Sequence, residues 1–220
     1  MINKDIFITG TGTDVGKTFV AALILKNLID NGVNAAYFKA AMSGNFRDTK
    51  NNLIPGDDLY VKKISGSSQS LSSMCPYIYE RAYSPHLAAQ IEGSPVDLDL
   101  VITKFNELKK VYECVIVEGS GGILCPLRFD ENKKIWLEDV IKAFDLPCVI
   151  VADAGLGTIN AVGLTAEYMK SKKIPVEGII FNHFETGNIL HEDNLKMCEV
   201  LTGLKVISCV EKNSEEVKLR

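Results

Sequence analysis

The sequence predicts a doubly wound α/β fold with a mostly parallel sheet, built as a single domain. Short apolar runs alternate with helical patterns along most of the 220 residues. Several runs are continuous and rich in β-branched residues, which is typical of strands covered on both faces. In folds of this class, ligands bind at the carboxyl ends of the strands.

The individual elements follow from local patterns. Strands are expected at 5–10, 34–40, 112–119, 146–153 and 176–182, and helices at 17–32, 97–110, 158–172 and 188–202. The irregular region at about 41–80 includes the serine-rich segment "SGSSQSLSS" (65–73), which has the composition of a linker. Because apolar strands continue on both sides of it, we interpret it as a surface loop and residues 1–220 as one domain.

Composition excludes several classes of protein. Apolar residues make up 46% of the chain and charged residues 24%, with a net charge of −4 and no basic block, which argues against nucleic-acid binding. No apolar run approaches the ~18 residues of a membrane span. The six cysteines form no C-x-x-C pair, and the N-terminus resembles no signal peptide. We expect a cytoplasmic protein with reduced thiols and no membrane or nucleic-acid partner.

The stretch "ITGTGTDVGKTFV" (8–20) nearly matches a phosphate-binding loop. Gly16-Lys17-Thr18 are in place, but the first glycine of the strict pattern is replaced by Thr11, and Gly10 comes one residue too early. A glycine-rich turn followed by a helix N-terminus lets backbone N–H groups surround an anion. Lys17 would reach the β- and γ-phosphates of ATP, and the Thr18 hydroxyl would bind Mg²⁺. A tight turn without ligand is the alternative.

Other candidate residues follow the ends of predicted strands. Lys39 ends the second strand, where burial is costly unless the ammonium meets an anion or solvent. Glu118 ends "VIVE" and precedes three glycines, a position that suits Mg²⁺ binding or water positioning. Asp57 and Asp58 in "PGDDL" lie near an expected helix start and, taken alone, indicate only a helix cap. A solvent-exposed lysine and a glutamate capping a turn remain alternatives for the first two.

Together these segments resemble the dethiobiotin synthetase family, which implies a phosphate-loop NTPase architecture. The family's loop has five residues between its first glycine and Gly-Lys-Thr, as Gly10 to Thr18 have here. Further matching segments, in the same order, are "FKAAMSG" (38–44), "GDDL" (56–59), "SPHLAAQIEG" (84–93), "VEGSGG" (117–122), "GLGTIN" (155–160) and "FN" (181–182).

The resemblance implies an ATP-dependent ligase of biotin synthesis. Its substrates are 7,8-diaminononanoate, CO₂ and ATP, and the products are dethiobiotin, ADP and phosphate. The diamine forms a carbamate, the γ-phosphate activates it as a carbamic-phosphoric anhydride, and the second amine closes the ring. Such chemistry needs positioning and charge neutralisation.

The resemblance also implies a role for each matching residue. The expected catalytic residues are Lys17, Lys39 and Thr13. The expected Mg²⁺ ligands are Thr18, Asp57 and Glu118. The expected ATP-binding residues are Gly12, Thr13, Asp14, Val15, Gly16, Lys17, Thr18, Phe19, Glu118 and Asn182, the last at the adenine. The expected substrate-binding residues are Thr13, Asp14, Lys39, Ser43, Gly121, Gly157, Thr158 and Asn160.

The family's substrate pocket crosses a two-fold dimer interface, so the resemblance implies a homodimer. Gly157, Thr158 and Asn160 would form a helix start that receives the substrate carboxylate. Two positions depart from the family pattern. Ala40 follows Lys39 where the family commonly has proline, and "LKVISCVEKN" (204–213) lacks a proline where the family cradles the base.

Three other functions also fit parts of the sequence. A partition-type ATPase would share the sheet and an irregular loop, but it usually has a second lysine early in the loop, which residues 10–15 lack. A related synthetase with another amine substrate is the second alternative. A decayed nucleotide-binding module is the third, disfavoured by the presence of Lys17, Thr18, Lys39, Asp57 and Glu118.

Overall fold

The computed structural model describes residues 4–218. The strands are β1 (Ile6–Gly10), β2 (Ala35–Lys39), β3 (Ala41–Met42), β4 (Phe46–Arg47), β5 (Leu53–Ile54), β6 (Tyr77–Ile78), β7 (Cys114–Glu118), β8 (Pro126–Phe129), β9 (Lys134–Trp136), β10 (Cys148–Asp153), β11 (Val176–Asn182) and β12 (Val206–Val210). The helices are α1 (Lys17–Asp30), α2 (Gly56–Ser65), α3 (Leu71–Met74), α4 (Pro85–Glu92), α5 (Leu98–Lys109), α6 (Leu137–Phe144), α7 (Thr158–Ser171) and α8 (Ile189–Thr202).

A six-stranded sheet lies at the centre, in the order β12-β11-β10-β1-β7-β2. All of its strand pairs are parallel. Three two-stranded sheets, β3-β6, β4-β5 and β8-β9, complete the strand pairing among residues 4–218. The predicted α/β class and mostly parallel sheet are confirmed.

Helices cover both faces of the sheet. In β1, Ile6 and Ile8 pack in one hydrophobic cluster with α1, α2 and α3, whereas Phe7 packs in a second cluster with α4 to α8. Successive side chains of a strand point to opposite faces, so a strand buried on both faces must be apolar throughout. This is why the core strands appear as uninterrupted apolar runs in the sequence.

In the serine-rich segment, interpreted above as a surface loop, buried and exposed residues alternate. Ser65, Ser67 and Gln69 are buried, and the residues between them are exposed. The Gln69 side chain bonds both backbone groups of Tyr37 on β2, the last strand of the sheet. Polar residues are buried here because an edge strand presents backbone groups that need partners.

The sheet places the ends of β1, β2 and β7 side by side. Lys39 at the end of β2 lies directly opposite Glu118 at the end of β7, and β1 pairs with β7 on its other side. The phosphate-loop segment follows β1, so all three sets of candidate residues meet at one edge. Among residues 4–218, no helix is both long and apolar enough to cross a lipid bilayer.

Candidate active site

The glycine-rich loop between β1 and α1 has the backbone of an anion-binding turn. Asp14 and Gly16 have positive φ angles of 60° and 87°. A Cβ at Gly10 would lie 2.9 Å from Val15 Cγ2, and one at Gly16 would lie 1.9 Å from Asn182 Nδ2. Positions 10 and 16 therefore require glycine for space, and position 16 requires it for conformation as well. The early glycine at position 10 is thus part of the loop's packing.

Lys17 points back over this loop. Its side chain is nearly buried, with the residue 6% exposed, and its Nζ donates to the Gly12 carbonyl at 2.7 Å. Burial lowers the pKa of Lys17, and neighbouring Lys39 lowers it further, whereas Glu118 opposes the shift. The neutral Gly12 carbonyl compensates only in part for the burial of this ammonium. A bound phosphate would supply an anionic partner.

Lys39 lies at the centre of a buried ion-pair network. Its Nζ donates to Asp57 Oδ2 at 2.6 Å and to Glu118 Oε1 at 2.8 Å. Burial lowers the pKa of Lys39, but the Glu118 and Asp57 carboxylates outweigh that effect and raise it well above its ordinary value. Lys39 therefore serves as a permanent positive charge rather than as a general base.

Glu118 is the group that connects the strand ends to the loop. Its Oε1 also accepts a hydrogen bond from Thr18 Oγ1 at 2.8 Å, and its Oε2 accepts one from the Tyr37 hydroxyl at 2.8 Å. The residue is 1% exposed. Such a carboxylate is stable because each oxygen has a hydrogen-bond donor.

The donor set of Thr18, Asp57 and Glu118 fits Mg²⁺ in type. Hydroxyl and carboxylate oxygens are the ligands this ion prefers. The carboxylates of Asp57 and Glu118 already bind a cation, the ammonium of Lys39, and the Thr18 hydroxyl bonds Glu118. Residues 4–218 contain no group of three or more His, Cys, Asp or Glu side chains arranged as a metal site. An ion held here would therefore need phosphate and water oxygens to complete its coordination, as Mg²⁺ with nucleotides commonly does.

A cavity of about 730 Å³ opens at this edge of the sheet, beside the phosphate-loop segment. We call it the phosphate cavity. It gathers the following predicted residues: Thr13, Asp14, Gly16, Lys17, Thr18, Lys39, Ser43, Asp57, Glu118 and Gly121. The remaining predicted residues do not line it: Gly12, Val15, Phe19, Asn182, Gly157, Thr158 and Asn160. The phosphate and carbamate candidates thus share one space, whereas the substrate-carboxylate candidates lie elsewhere.

The Gly157–Asn160 segment lies at the start of α7, as expected. Gly157 is the N-cap residue with a φ of 90°, and the helix begins at Thr158. Gly157 and Asn160 line a second, larger cavity of about 1080 Å³ between α7 and α8. Thr158 is buried, and its hydroxyl oxygen has no hydrogen-bond partner among the described residues.

Asn182 ends β11 beneath the phosphate loop and is fully buried. Its Nδ2 donates to the Val15 carbonyl at 3.1 Å and lies 3.2 Å from His183 Nε2. Its Oδ1 has no partner among residues 4–218. The His183 ring is fixed on its other side by Asp153, at 2.7 Å. In this arrangement Asn182 supports the loop from below rather than lining the cavity.

Sequence reasoning missed several residues that line the cavity. These are Met42, Ala82, Tyr83, Ser84, Pro85, Ser120 and Cys125. The segment "SPHLAAQIEG" (84–93) offered a signal, because it is one of the segments that resemble the family, and Ser84 is the N-cap residue of α4. The Ser84 hydroxyl bonds His86 Nδ1 at 2.8 Å rather than the helix backbone. Cys125 gave no signal, because one cysteine in a glycine-rich loop has no pattern.

Comparison with known proteins identifies the family. A family model described as "AAA domain" matches residues 4–218. The chain is 50% identical over 207 residues to the ATP-dependent dethiobiotin synthetase of Brachyspira hyodysenteriae, covering 94% of this chain and 91% of that protein. It is 43% identical to the synthetase of the same name from Clostridium novyi, covering 99% and 93%.

Solved structures share the fold at much lower identity. The MinC:MinD cell division complex of Aquifex aeolicus matches with a TM-score of 0.60 at 14% identity, covering 96% of this chain and 83% of that chain. A ParA family ATPase from Chlorobium tepidum matches with a TM-score of 0.55 at 15% identity, covering 96% and 84%. These likenesses show the fold alone, whereas the close relatives show that this chain belongs to the family of ATP-dependent dethiobiotin synthetases.

Proposed function

We propose that this protein carboxylates 7,8-diaminononanoate with CO₂ and closes the ring to dethiobiotin, using ATP and Mg²⁺ and releasing ADP and phosphate. ATP-dependent dethiobiotin synthesis follows from the family. The proposed reaction steps and the use of Mg²⁺ rest on one observation. Two lysines and two carboxylates line the same cavity: Lys17, Lys39, Asp57 and Glu118.

The first two steps need positive charge at fixed places. A substrate amine attacks CO₂, so that an N–C bond forms while one C–O π bond opens onto oxygen. The amine loses a proton to solvent, and an anionic carbamate remains. A carbamate oxygen then attacks the γ-phosphorus, an O–P bond forms, and ADP leaves with the electrons of the bridging bond. Lys39 would neutralise the carbamate, and Lys17 with the loop N–H groups would neutralise the phosphates.

The last step needs orientation more than charge. The second amine attacks the carbamoyl carbon, a C–N bond forms, the amine loses a proton to solvent, and phosphate leaves with the electrons of the C–O bond. Thr13 and Ser43 would hydrogen-bond the phosphate or carbamate oxygens, and Asp14 would lie near the amines. Holding both amines beside the activated carbon replaces a bimolecular encounter with an intramolecular reaction.

Mg²⁺ would be held by Thr18, Asp57 and Glu118. When bound, it would neutralise charge on the β- and γ-phosphates. The fit rests on the carboxylates of Asp57 and Glu118, which already bind the Lys39 ammonium at 2.6 and 2.8 Å, and on the Thr18 hydroxyl, which bonds Glu118. The protein's own contribution is to keep these donors buried and oriented.

We infer that two chains complete each substrate pocket. The α7–α8 face carries exposed leucines, with Leu156, Leu164 and Leu201 exposed by 92%, 65% and 57%. Contiguous apolar surface of this kind is typical of interfaces. Gly157 and Asn160 line this face rather than the phosphate cavity. A second chain on this face could bring its own Gly157–Asn160 segment to the neighbouring reaction centre.

We place this chemistry in the cytoplasm. Four cysteines, Cys75, Cys114, Cys148 and Cys198, are buried thiols. Burial raises the pKa of Cys148 to about 12 and that of Cys114 to about 11. Protonated core thiols of this kind are typical of reducing compartments.

The decisive experiment follows ADP and dethiobiotin together. The purified protein is incubated with 7,8-diaminononanoate, bicarbonate, ATP and Mg²⁺, and a parallel reaction omits the diamine. ADP release that depends on the diamine and matches dethiobiotin supports the proposal. ADP release that ignores the diamine, or no ADP release, overturns it.

Two lysines on α1 provide a matched pair of variants. Lys17→Ala removes the ammonium at the loop and should reduce the rate by about a hundredfold or more, as loss of a transition-state charge does. Lys26→Ala, on the exposed side of the same helix where Lys26 pairs with Asp30, should keep the wild-type rate. Equal rates for the two variants would remove Lys17 from the mechanism.

A further inference from the structure

The phenol of Tyr37 reaches Glu118 from inside the sheet. Tyr37 lies on β2, is fully buried, and is not among the residues that line the phosphate cavity. Its hydroxyl donates to Glu118 Oε2 at 2.8 Å. Thr18 and Lys39 both bond the other oxygen, Oε1. The two oxygens of Glu118 therefore have separate partners, one in the core and the others at the cavity.

The Tyr37 hydroxyl is a buried hydrogen-bond donor to the Glu118 carboxylate. Burial raises the pKa of Tyr37 well above its ordinary value, and the Glu118 carboxylate raises it further. Without this hydroxyl, Oε2 of a glutamate that is 1% exposed would lose its partner, which costs about 1–3 kcal/mol for a buried polar group.

Gln69 holds Tyr37 from the open edge of the sheet. The Tyr37 N–H donates to Gln69 Oε1 at 2.8 Å, and Gln69 Nε2 donates to the Tyr37 carbonyl at 2.9 Å. The amide side chain thus takes the place of a neighbouring strand at this residue. Gln69 is held in turn by its backbone carbonyl, which accepts a hydrogen bond from Lys62 Nζ at 2.5 Å.

We propose that Tyr37, held by Gln69, is a positioning residue that fixes Glu118 with Oε1 toward Thr18 and the phosphate cavity, and so sets the affinity for the Mg²⁺ that binds with ATP. The inference rests on the proposed function, because it gives Glu118 a role at the metal. Hydrogen-bond partners of metal ligands orient those ligands and commonly alter metal affinity by about 10- to 100-fold. Tyr37 acts through Glu118 and touches no substrate.

The test measures ATP binding rather than turnover. Titration calorimetry of ATP at a series of Mg²⁺ concentrations, without diamine, gives the Mg²⁺ concentration that half-restores tight binding. Tyr37→Phe removes only the hydroxyl and should raise that concentration by about tenfold or more, with ATP affinity in excess EDTA unchanged. In the full reaction, kcat at saturating Mg²⁺ should change far less than the KM for MgATP.

Tyr79→Phe is the matched control. Tyr79 is 1% exposed, and its hydroxyl donates to the Ser94 carbonyl at 2.6 Å, away from the cavity-lining residues. It should lose stability without a change in Mg²⁺ dependence. If Tyr37→Phe behaves like Tyr79→Phe, or if wild-type ATP binding does not depend on Mg²⁺, the positioning role is refuted.

A second variant covers the case in which Tyr37→Phe does not fold. Gln69→Ala keeps the phenol and releases its backbone, so the Mg²⁺ requirement should rise in the same direction by a smaller factor. An unchanged requirement in a folded Gln69→Ala protein contradicts the proposal. A wild-type protein that binds MgATP but makes no dethiobiotin would overturn the proposed function alone, because the calorimetric comparison needs no diamine.

Discussion

Asp58 shows how two adjacent carboxylates acquire different properties. Asp57 contacts Lys39 at 2.6 Å, with its side chain 40% exposed. Asp58 is fully buried, and neither carboxylate oxygen has a hydrogen-bond partner among the described residues. Burial raises the pKa of Asp58 to about 8, and Asp57 and Glu118 add to the rise, although Lys39 opposes it. Asp58 is thus a neutral acid below that pH.

The Asp58 carboxyl should make the fold progressively less stable as pH rises toward about 8. The unfolded pKa is about 4, so between that pH and about 8 the folded state holds a proton that the unfolded state has lost. The free energy of unfolding therefore falls as pH rises, by up to about 1.4 kcal/mol per pH unit from this group, and levels off above the folded pKa. Asp58→Asn removes the titration, so its stability relative to wild type should rise across that range.

Urea unfolding from about pH 5 to 9 measures the difference between variant and wild type. Asp99→Asn, in the first turn of α5, removes an exposed acid outside the cavity and is the control for the loss of a carboxylate. A difference for Asp58→Asn that stays flat with pH would show that the group is ionised in the folded protein.

The sequence distinguished Asp57 from Asp58 only through the resemblance. Both follow Pro55-Gly56 at a helix start, and no local pattern separates them. The structure shows the physical difference: one turns toward Lys39, and the other turns into the core. The assignment of Asp57 to Mg²⁺ stays a prediction. Tyr37 was beyond reach, because a tyrosine in an apolar strand predicts only burial.

The loop between β1 and α1 is the element with the sharpest steric requirement. Gly16 combines a φ of 87° with a site where a Cβ would lie 1.9 Å from Asn182 Nδ2. Gly16→Ala should lower the free energy of unfolding by about 2 kcal/mol or more, through strain and displacement of Asn182, and should weaken ATP binding. Thermal unfolding and calorimetry measure the two effects.

Gly12 provides the comparison within the same loop. A Cβ there would meet no atom within 4 Å, and its φ is not positive. Gly12→Ala should therefore change the free energy of unfolding by less than about 1 kcal/mol. Equal destabilisation by both substitutions would show that the loop does not have this backbone.

The helices and strands with long apolar patterns were the easiest to predict. The strand expected at 176–182 is observed as Val176–Asn182, and the helix expected at 158–172 ends one residue earlier, at Ser171. The helix α6 (Leu137–Phe144) was missed, because eight residues give a short periodic pattern. For the serine-rich segment, the sequence indicates a surface loop but does not reveal that Gln69 completes a sheet edge.

At the scale of the whole molecule, the site is divided between two surfaces. The phosphate and carbamate candidates line one cavity, and Gly157 and Asn160 line another between α7 and α8. A single chain therefore has the residues for nucleotide chemistry in one place and the expected receptor for the substrate carboxylate in another. This division favours the proposed homodimer, which the fold class alone could not have predicted.

Leu164 tests that division. It lies on α7 in the α7–α8 cavity and is 65% exposed. Leu164→Glu would bury a charge if this face meets a second chain, which costs several kcal/mol. We expect a monomer by sedimentation and a loss of dethiobiotin formation of about tenfold or more, with MgATP binding retained because the phosphate cavity lies within one chain.

Val111→Glu, at a 64% exposed valine after α5, is the control and should change neither the oligomeric state nor dethiobiotin formation. A wild-type monomer with full activity, or a dimeric and active Leu164→Glu protein, would show that each chain completes its pocket alone or pairs through another face.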